Sequence, residues 1–438
     1  MLKGKNLIRG IWFAFIVVSL GVVQTWADIT FSGEFRLRPE YKKNADFNKA
    51  TKDTQSFVGS RLRISGAGLA AEDIAVKVTF QDTRNWGEEP GSGAVNGLTD
   101  SGEAIDIHEG FVDFQNFLKT PFSFRAGRQE LSFGDQRLIG SFGWNNQGRA
   151  FDAFRLMYVG NQFMVDAWTA KRKENNATTA GVPSNDRDFS GIYGTMKPVF
   201  PGALLDVYFL HDREGDTTGN AEPKNVYTYG LRLSGKNGFI DYTVEAPFQF
   251  GQNGTVVGVS SDSVKISANA LAAKVGFTIP GDKEIRFGTE YDYASGDDNL
   301  SDTKAKTFNN LYPTNHLFYG YMDYQGWRNL SAWNANLSFK PQRPWFLSIH
   351  YWVFNLAEEK DGWYNAAGTA SGSLRAASSA NTEKNIGQEI DLLARFTQSS
   401  RVIWEFGYSR FFAGDLIDQR VANDSASDWA YVMSTIKF

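Results

Sequence analysis

The 438-residue chain has no cysteine, only four histidines and only twelve prolines. Without cysteine there is no disulfide, thiolate metal site, haem attachment or cysteine nucleophile. The histidines (His108, His211, His316, His350) are scattered, and neither G-x-S-x-G nor H-E-x-x-H occurs, so catalytic motifs are missing as well. Beyond residue 27 no stretch is apolar enough to cross a bilayer as a helix; if the chain spans a membrane, it does so with strands. An excess of basic charge is also lacking. The net charge is −4 for the whole chain and −7 after residue 27, from 42 basic and 49 acidic residues. That balance argues against nucleic acid or an anionic membrane surface as partner.

What is present is alternation. Ile29, Phe31, Gly33, Phe35 and Leu37 fall on one face of an extended segment, and Thr30, Ser32, Glu34, Arg36 and Arg38 on the other. One such segment fits a soluble sandwich as well as a membrane strand. The pattern recurs about eighteen times, from 29–41, 56–69 and 73–84 to 401–413 and 428–438. Connections alternate between tight ones rich in Gly, Pro or Asn and long polar ones such as 85–104, 172–186, 296–326 and 357–385. The expectation is an all-β fold, a single 18-stranded antiparallel transmembrane β-barrel with sixteen strands as the alternative, its tight turns and both termini periplasmic. A barrel of that size is wide enough for an aqueous channel. High glycine (43) and 15% aromatics suit turns and interfacial girdles.

Residues 1–27 read as a signal peptide: Lys3, Lys5 and Arg9, an apolar stretch from Ile11 to Val23, and Thr25-Trp26-Ala27 before Asp28. A single membrane anchor is the other reading, and the apolar stretch is short for one. Residues 28–438 form the barrel, placed in the outer membrane of a diderm bacterium with the lipid bilayer as partner. The last segment ends on Phe438, the signal read by the barrel-assembly machinery during biogenesis, although Ser434 interrupts its apolar face.

Alternation puts Phe35, Leu62, Leu231, Phe287, Trp404 and Val432 toward lipid. Arg36, Arg61, Arg232, Arg286 and Glu405 then face the lumen. Basic lumen residues gather early: Arg36, Arg38, Arg61, Arg63, Lys77, Arg125 and Arg155. Acidic ones gather later: Asp166, Asp206, Asp241, Glu245, Glu290 and Asp292. In a closed barrel the two groups would face each other across the lumen. Guanidinium forks onto carboxylates, so an arginine ladder selects anions or sugars bearing them. The alternative is that the charges pair across neighbouring strands and hold the wall. Glu34 and Glu40 stand ready to compensate the first four arginines. The segment 133–148, with Asp135, Arg137, Trp144, Asn145 and Asn146, carries Leu138 and Ile139, odd for a loop exposed to water. It reads as folded inward, narrowing the pore, or as a rim loop packed on its neighbours. The loops at 85–104 and 366–385 read as flexible, the second as solvated outer surface.

No cofactor is expected. Asp297, Asp298 and Asp302 with Asn299 offer oxygen ligands for Ca²⁺, but their spacing is not that of an EF-hand and such acidic loops are usually just solvated. His108 beside Asp106 and Glu109, or His350 beside Ser348, would be the residues of a rim hydrolase; a satisfied structural histidine is the simpler account.

Two segments carry a family resemblance: AGRQELSFGDQRLIGSFGWNNQGRAFDAFRL at 126–156, and YDYASGDDN at 291–299 running into TFNNLYPTNHLFYGYMDYQGWRNL at 307–330. Both resemble the alginate export family of outer-membrane porins. The resemblance implies an eighteen-stranded barrel with a narrow, positively charged pore for an acidic polysaccharide, and its first motif brings Arg128, Asp135, Arg137 and Arg149 to the pore. All eight periplasmic turns here are short, so no periplasmic plug loop is expected. The expected function is therefore a passive channel, not an enzyme, for an anionic small molecule or carboxylated polysaccharide. A rim hydrolase and a structural sleeve for a partner protein are the alternatives.

Overall fold

The computed structural model describes residues 29–87, 105–174, 186–198, 202–215, 223–253, 264–421 and 424–438. The segment 1–27 read as a signal peptide, most of the 85–104 loop and most of 172–186 lie outside the described residues.

Eighteen strands make the wall. They are β1 Thr30–Lys43, β2 Gln55–Ala71, β3 Ile74–Asn85, β4 Asp106–Phe114, β5 Phe122–Gln129 and β6 Phe151–Val159. Next come β7 Phe163–Lys173, β8 Arg187–Met196, β9 Ala203–Glu214, β10 Lys224–Asn237, β11 Ile240–Asn253 and β12 Lys265–Thr278. The last six are β13 Arg286–Ala294, β14 Leu330–Phe339, β15 Trp345–Asn355, β16 Asn385–Thr397, β17 Val402–Ala413 and β18 Ser427–Lys437. Each pairs antiparallel with its sequence neighbours, and β1 pairs antiparallel with β18, so the sheet closes. Closure gives every wall strand two partners and leaves no edge in the bilayer. A two-residue strand, Lys304–Ala305, lies parallel to the outer end of β12.

Register confirms the alternation. Phe35 lies opposite Leu62 and Ile436, and Arg36 opposite Arg61 and Thr435. The apolar set is open to the outside (Leu231 48%, Phe287 50%, Val432 38% exposed), while Arg36, Arg61, Arg232 and Glu405 are buried within. The C-terminal residue takes part in closure: Gly33 N–H donates to Phe438 O at 2.7 Å, and Phe438 N–H to Gly33 O at 3.0 Å. The Phe438 ring fills the space a β-carbon on Gly33 would occupy, 2.3 Å from that position.

The lumen is filled more than a simple wide pore would be. The segment 130–150 between β5 and β6 folds inward, as Leu138 and Ile139 suggested; they are 4% and 2% exposed. A second inward segment, 295–329 between β13 and β14, meets it. Tyr312 N–H donates to Leu138 O, Gly140 N–H to Tyr312 O and Thr314 N–H to Gln136 O, all at 2.8–2.9 Å. Around this seam Phe151, Phe189, Phe308, Tyr319 and Trp327 are almost fully buried. Toward the outer mouth Phe47, Phe354, Trp363 and Phe411 continue the same aromatic core, joined by Leu416 and Ile417 of the one-turn helix α1 Asp415–Arg420. The physical reason is area. An eighteen-strand ring encloses more space than wall side chains can fill, and apolar loops gain by burying there what water would otherwise wet.

Candidate functional site: a clamped constriction

The early arginines converge on the tip of the inward segment. Arg36 donates to Gly143 O (2.8 Å), Asn145 O (3.0 Å) and Asn146 Oδ1 (2.9 Å). Arg61 donates to the same two carbonyls at 3.0 and 3.2 Å and to Glu34 at 2.6 Å. Arg38 donates to Trp144 O and Glu40, both at 2.6 Å, and its guanidinium sits 4.1 Å above the Trp144 ring. His316, from the second segment, stacks on Trp144 at 3.7 Å and 7°. Trp144 is thus held between a guanidinium and an imidazole. Arg63 reaches Gln81 at 2.7 Å and Glu130 at 3.4 Å.

The expected compensation by Glu34 and Glu40 is present, but it is incomplete. Arg36 makes no carboxylate contact within 4 Å among the described residues; its partners are neutral carbonyls and an amide. Beside it opens a cavity of about 370 Å³ bounded by Arg36, Arg61, Trp144, His316, Arg395 and Tyr431, with Glu34 and Glu405 on its wall.

The later acids do not look across the lumen at these arginines. Three bond cations on nearby strands, Glu245 accepts from Tyr208 OH at 3.0 Å, and Glu290 and Asp292 take Arg137 of the inward segment. Asp166 holds Arg155 at 2.6 Å, Asp241 holds Arg286 at 2.7 Å, and Asp206 holds Arg232 at 2.8 Å. Arg125 is likewise taken by Asp113 at 2.5 Å, and Arg128 reaches Asp152 at 3.3 Å. The expectation of two facing charge groups is corrected accordingly. Arg155–Asp166 and Arg232–Asp206 join adjacent strands, which stand close enough for a guanidinium fork. Arg286 on β13 reaches Asp241 on β11 by crossing β12 over Gly276, which has no side chain in the way.

On the far wall the inward segment is bolted down by charge. Arg137 donates to Asp292 (3.0 Å), to Tyr319 OH (2.8 Å) and to Glu290, with its guanidinium 3.9 Å above the Phe318 ring. Asp135 accepts from Arg232 and from Lys274, the latter at 2.7 Å. Burial pushes the Asp135 carboxyl up, but Lys274 and Arg232 outweigh it and hold it below its ordinary value. Arg149 donates to Gly140 O and Pro313 O, tying the two segments together, and burial with Arg172 nearby pushes it down to about 10.

Other candidates find ordinary partners. His108 meets Glu130 at 2.7 Å and lies on the lumen wall, 4% exposed. His350 stands on β15 opposite Asp391 and Asn336. Asp298 pairs with Lys306, Asp297 accepts from Asn299 N–H, and Asp302 from Lys304 N–H. Among the described residues no three His, Asp or Glu side chains gather as a metal site. The second inward segment was not foreseen as such. Its signal was density of aromatics, Phe308, Tyr312, Phe318, Tyr319, Tyr321, Tyr324 and Trp327, far too many for a solvated loop.

A family model described as alginate export matches residues 27–431. No curated protein matches the sequence. Among solved structures the barrel is similar to the outer membrane protein OprD of Pseudomonas aeruginosa (TM-score 0.58, 11% identity, 93% of this chain and 94% of that one). It is also similar to OccK2 (OpdF) of that organism in complex with glucuronate (0.55, 10%, 94% and 96%) and to OpdK with vanillate (0.54, 10%, 93% and 98%). At these identities the likeness is one of fold.

Proposed function

The chain belongs to the alginate export family of outer-membrane barrels, and from that premise we propose that it is a passive channel for small carboxylated solutes, uronate-like sugars foremost. The observation that carries this reading is Arg36, a buried cation that, among the described residues, is held only by neutral groups at the edge of the constriction cavity. A guanidinium in a low-dielectric wall exerts a local field that distant, screened surface charge does not cancel, since the Debye length is about 8 Å at physiological salt. Trp144, His316 and Tyr431 make the cavity's wall rigid, their ring faces being packed on Arg38, Tyr321 and one another, and Glu34 and Glu405 add acceptors for hydroxyls. The inward segments favour a single small solute over a threaded polymer chain. The glucuronate and vanillate complexes of structurally similar barrels, both carboxylates, agree with this class. Selection is then by width and by weak binding that lets the solute leave again.

The test is a reversal potential in planar bilayers under gradients of potassium chloride and potassium galacturonate. Wild type is expected to prefer anions and to pass galacturonate. Arg36→Gln with Arg61→Gln should lower that preference severalfold. A cation-selective wild type whose double variant behaves the same would make these arginines braces only and end the carboxylate reading.

A further inference from the structure

Above the constriction, on the outer side, lies a separate cavity of about 230 Å³ between the outer ends of β10–β12, the second inward segment and the 357–384 loop. It is smaller than the roughly 300–1,000 Å³ of sites for drug-sized ligands, so its occupant is one small unit. Two cations reach it. Lys224 begins β10, and its cross-strand neighbour Glu214 gives its carboxylate to Arg187. Arg328 lies 4.4 Å over the Tyr364 ring and donates to Gly368 O at 2.9 Å; its buried Nε has no partner in the protein. Neither cation has a carboxylate within 4 Å among the described residues.

The cavity also has acids, Asp297 and Asp361, and their bonding decides what they do. Asp361 accepts from Thr307 Oγ1, Tyr364 OH, and the N–H groups of Asp297 and Gly362. Asp297 accepts from Asn299 N–H. Neutral donors therefore occupy the carboxylates, while the cations keep free N–H groups. Two cations that lack an ion-pair partner among the described residues and keep donors open to one cavity favour an anion bound between them.

We propose that Lys224 and Arg328 form an outer capture subsite for the carboxylate of a single sugar acid, with Asn309, Thr307 and the Tyr364 ring beside its hydroxyls and its face. The subsite would load solute before the constriction; it rests on the channel reading for that role, though binding can be measured apart from passage. A charge-assisted, two-donor carboxylate contact is the strongest polar recognition available here.

The test is a saturation-transfer NMR titration of the full-length protein in micelles with galacturonate, with uncharged galactose as control. Wild type should bind galacturonate and not galactose. Lys224→Gln should weaken it about tenfold, the equivalent of about 1.4 kcal/mol. Arg328→Gln should weaken it similarly, and Arg328→Lys, which keeps the charge if the glutamine variant disturbs the Gly368 contact, should bind more tightly than Arg328→Gln. Lys340→Gln, which removes a charge at the periplasmic turn, should leave affinity unchanged. Absence of wild-type binding, equal binding of galactose, or wild-type affinity in both glutamine variants overturns the subsite. Galacturonate permeation with unchanged binding in both glutamine variants would remove the subsite and keep the channel; binding without permeation would do the reverse.

Discussion

Arg137 is buried to 2% exposure between Asp292, Glu290 and the hydroxyl of Tyr319, whereas Arg36, almost as buried, touches only neutral acceptors among the described residues. The same side chain therefore does different work in the two places. Removing Arg137 strands the fully buried Asp292 carboxylate and the half-buried Glu290 beside it, the situation in which loss of one partner costs about 3–5 kcal/mol. Arg137→Gln should lower the denaturant midpoint in micelles accordingly, and adding Glu290→Gln with Asp292→Asn should recover much of the loss. Arg36→Gln leaves no carboxylate stranded, so it should change selectivity much more than stability. If the two variants lost equal stability and Arg36→Gln left selectivity alone, the distinction would collapse.

At the scale of elements, the inward segment 130–150 is held on one side by carbonyl contacts to Arg36, Arg38 and Arg61 and on the other by Asp135 and Arg137. Its hold depends on pH in a definite direction. The folded-state Asp135 carboxyl lies below its ordinary 3.8, so its contribution is complete above the unfolded value of about 3.9 and is lost as pH falls through the lower folded value. Single-channel traces should be quiet at pH 5 and above and show frequent large openings once pH drops under about 4; Asp135→Asn should show those openings already at pH 7. Leu138 and Ile139 made this segment legible in advance, because apolar side chains do not pay for themselves in a wetted loop. The second segment was harder. Its aromatics were visible, but the pairing of Ile139 with Tyr312, or of Arg137 with Glu290, joins positions more than 150 residues apart, and no local period reports such contacts. The lateral pairs such as Arg155–Asp166 and Arg286–Asp241 depended on register, which alternation fixes by face but not by partner. Arg328 lies in the GWRNL end of the 307–330 segment but nothing local marks it as facing a cavity, and Lys224 carries no motif at all; the two come together only through the folded loops.

For the whole molecule, the decisive property is that one face of every strand meets lipid while the other meets a filled, polar-and-aromatic interior. Leu231, on the outer face near the middle of β10, is flanked by Val207 on β9 and Ala246 on β11. A charge there has no water to turn to, and Arg or Lys at the midplane of a barrel's lipid face costs about 2–4 kcal/mol. Near the interfaces the cost falls to about 0–1 kcal/mol because the side chain can snorkel. Phe31 stands on the same outer face near the periplasmic end of β1, 74% exposed. Leu231→Arg should therefore lower unfolding free energy in bilayers by a few kcal/mol, and Phe31→Arg by much less. The neighbouring Arg232, one residue along, is already charged, yet it faces inward onto Asp206 and Asp135. The contrast between adjacent positions 231 and 232 isolates facing from sequence context, because strand, depth and neighbours are shared. Equal tolerance of arginine at positions 31 and 231 in bilayer unfolding would mean that the outer band is not lipid-facing at that depth, and the assignment of the barrel's membrane belt would have to move.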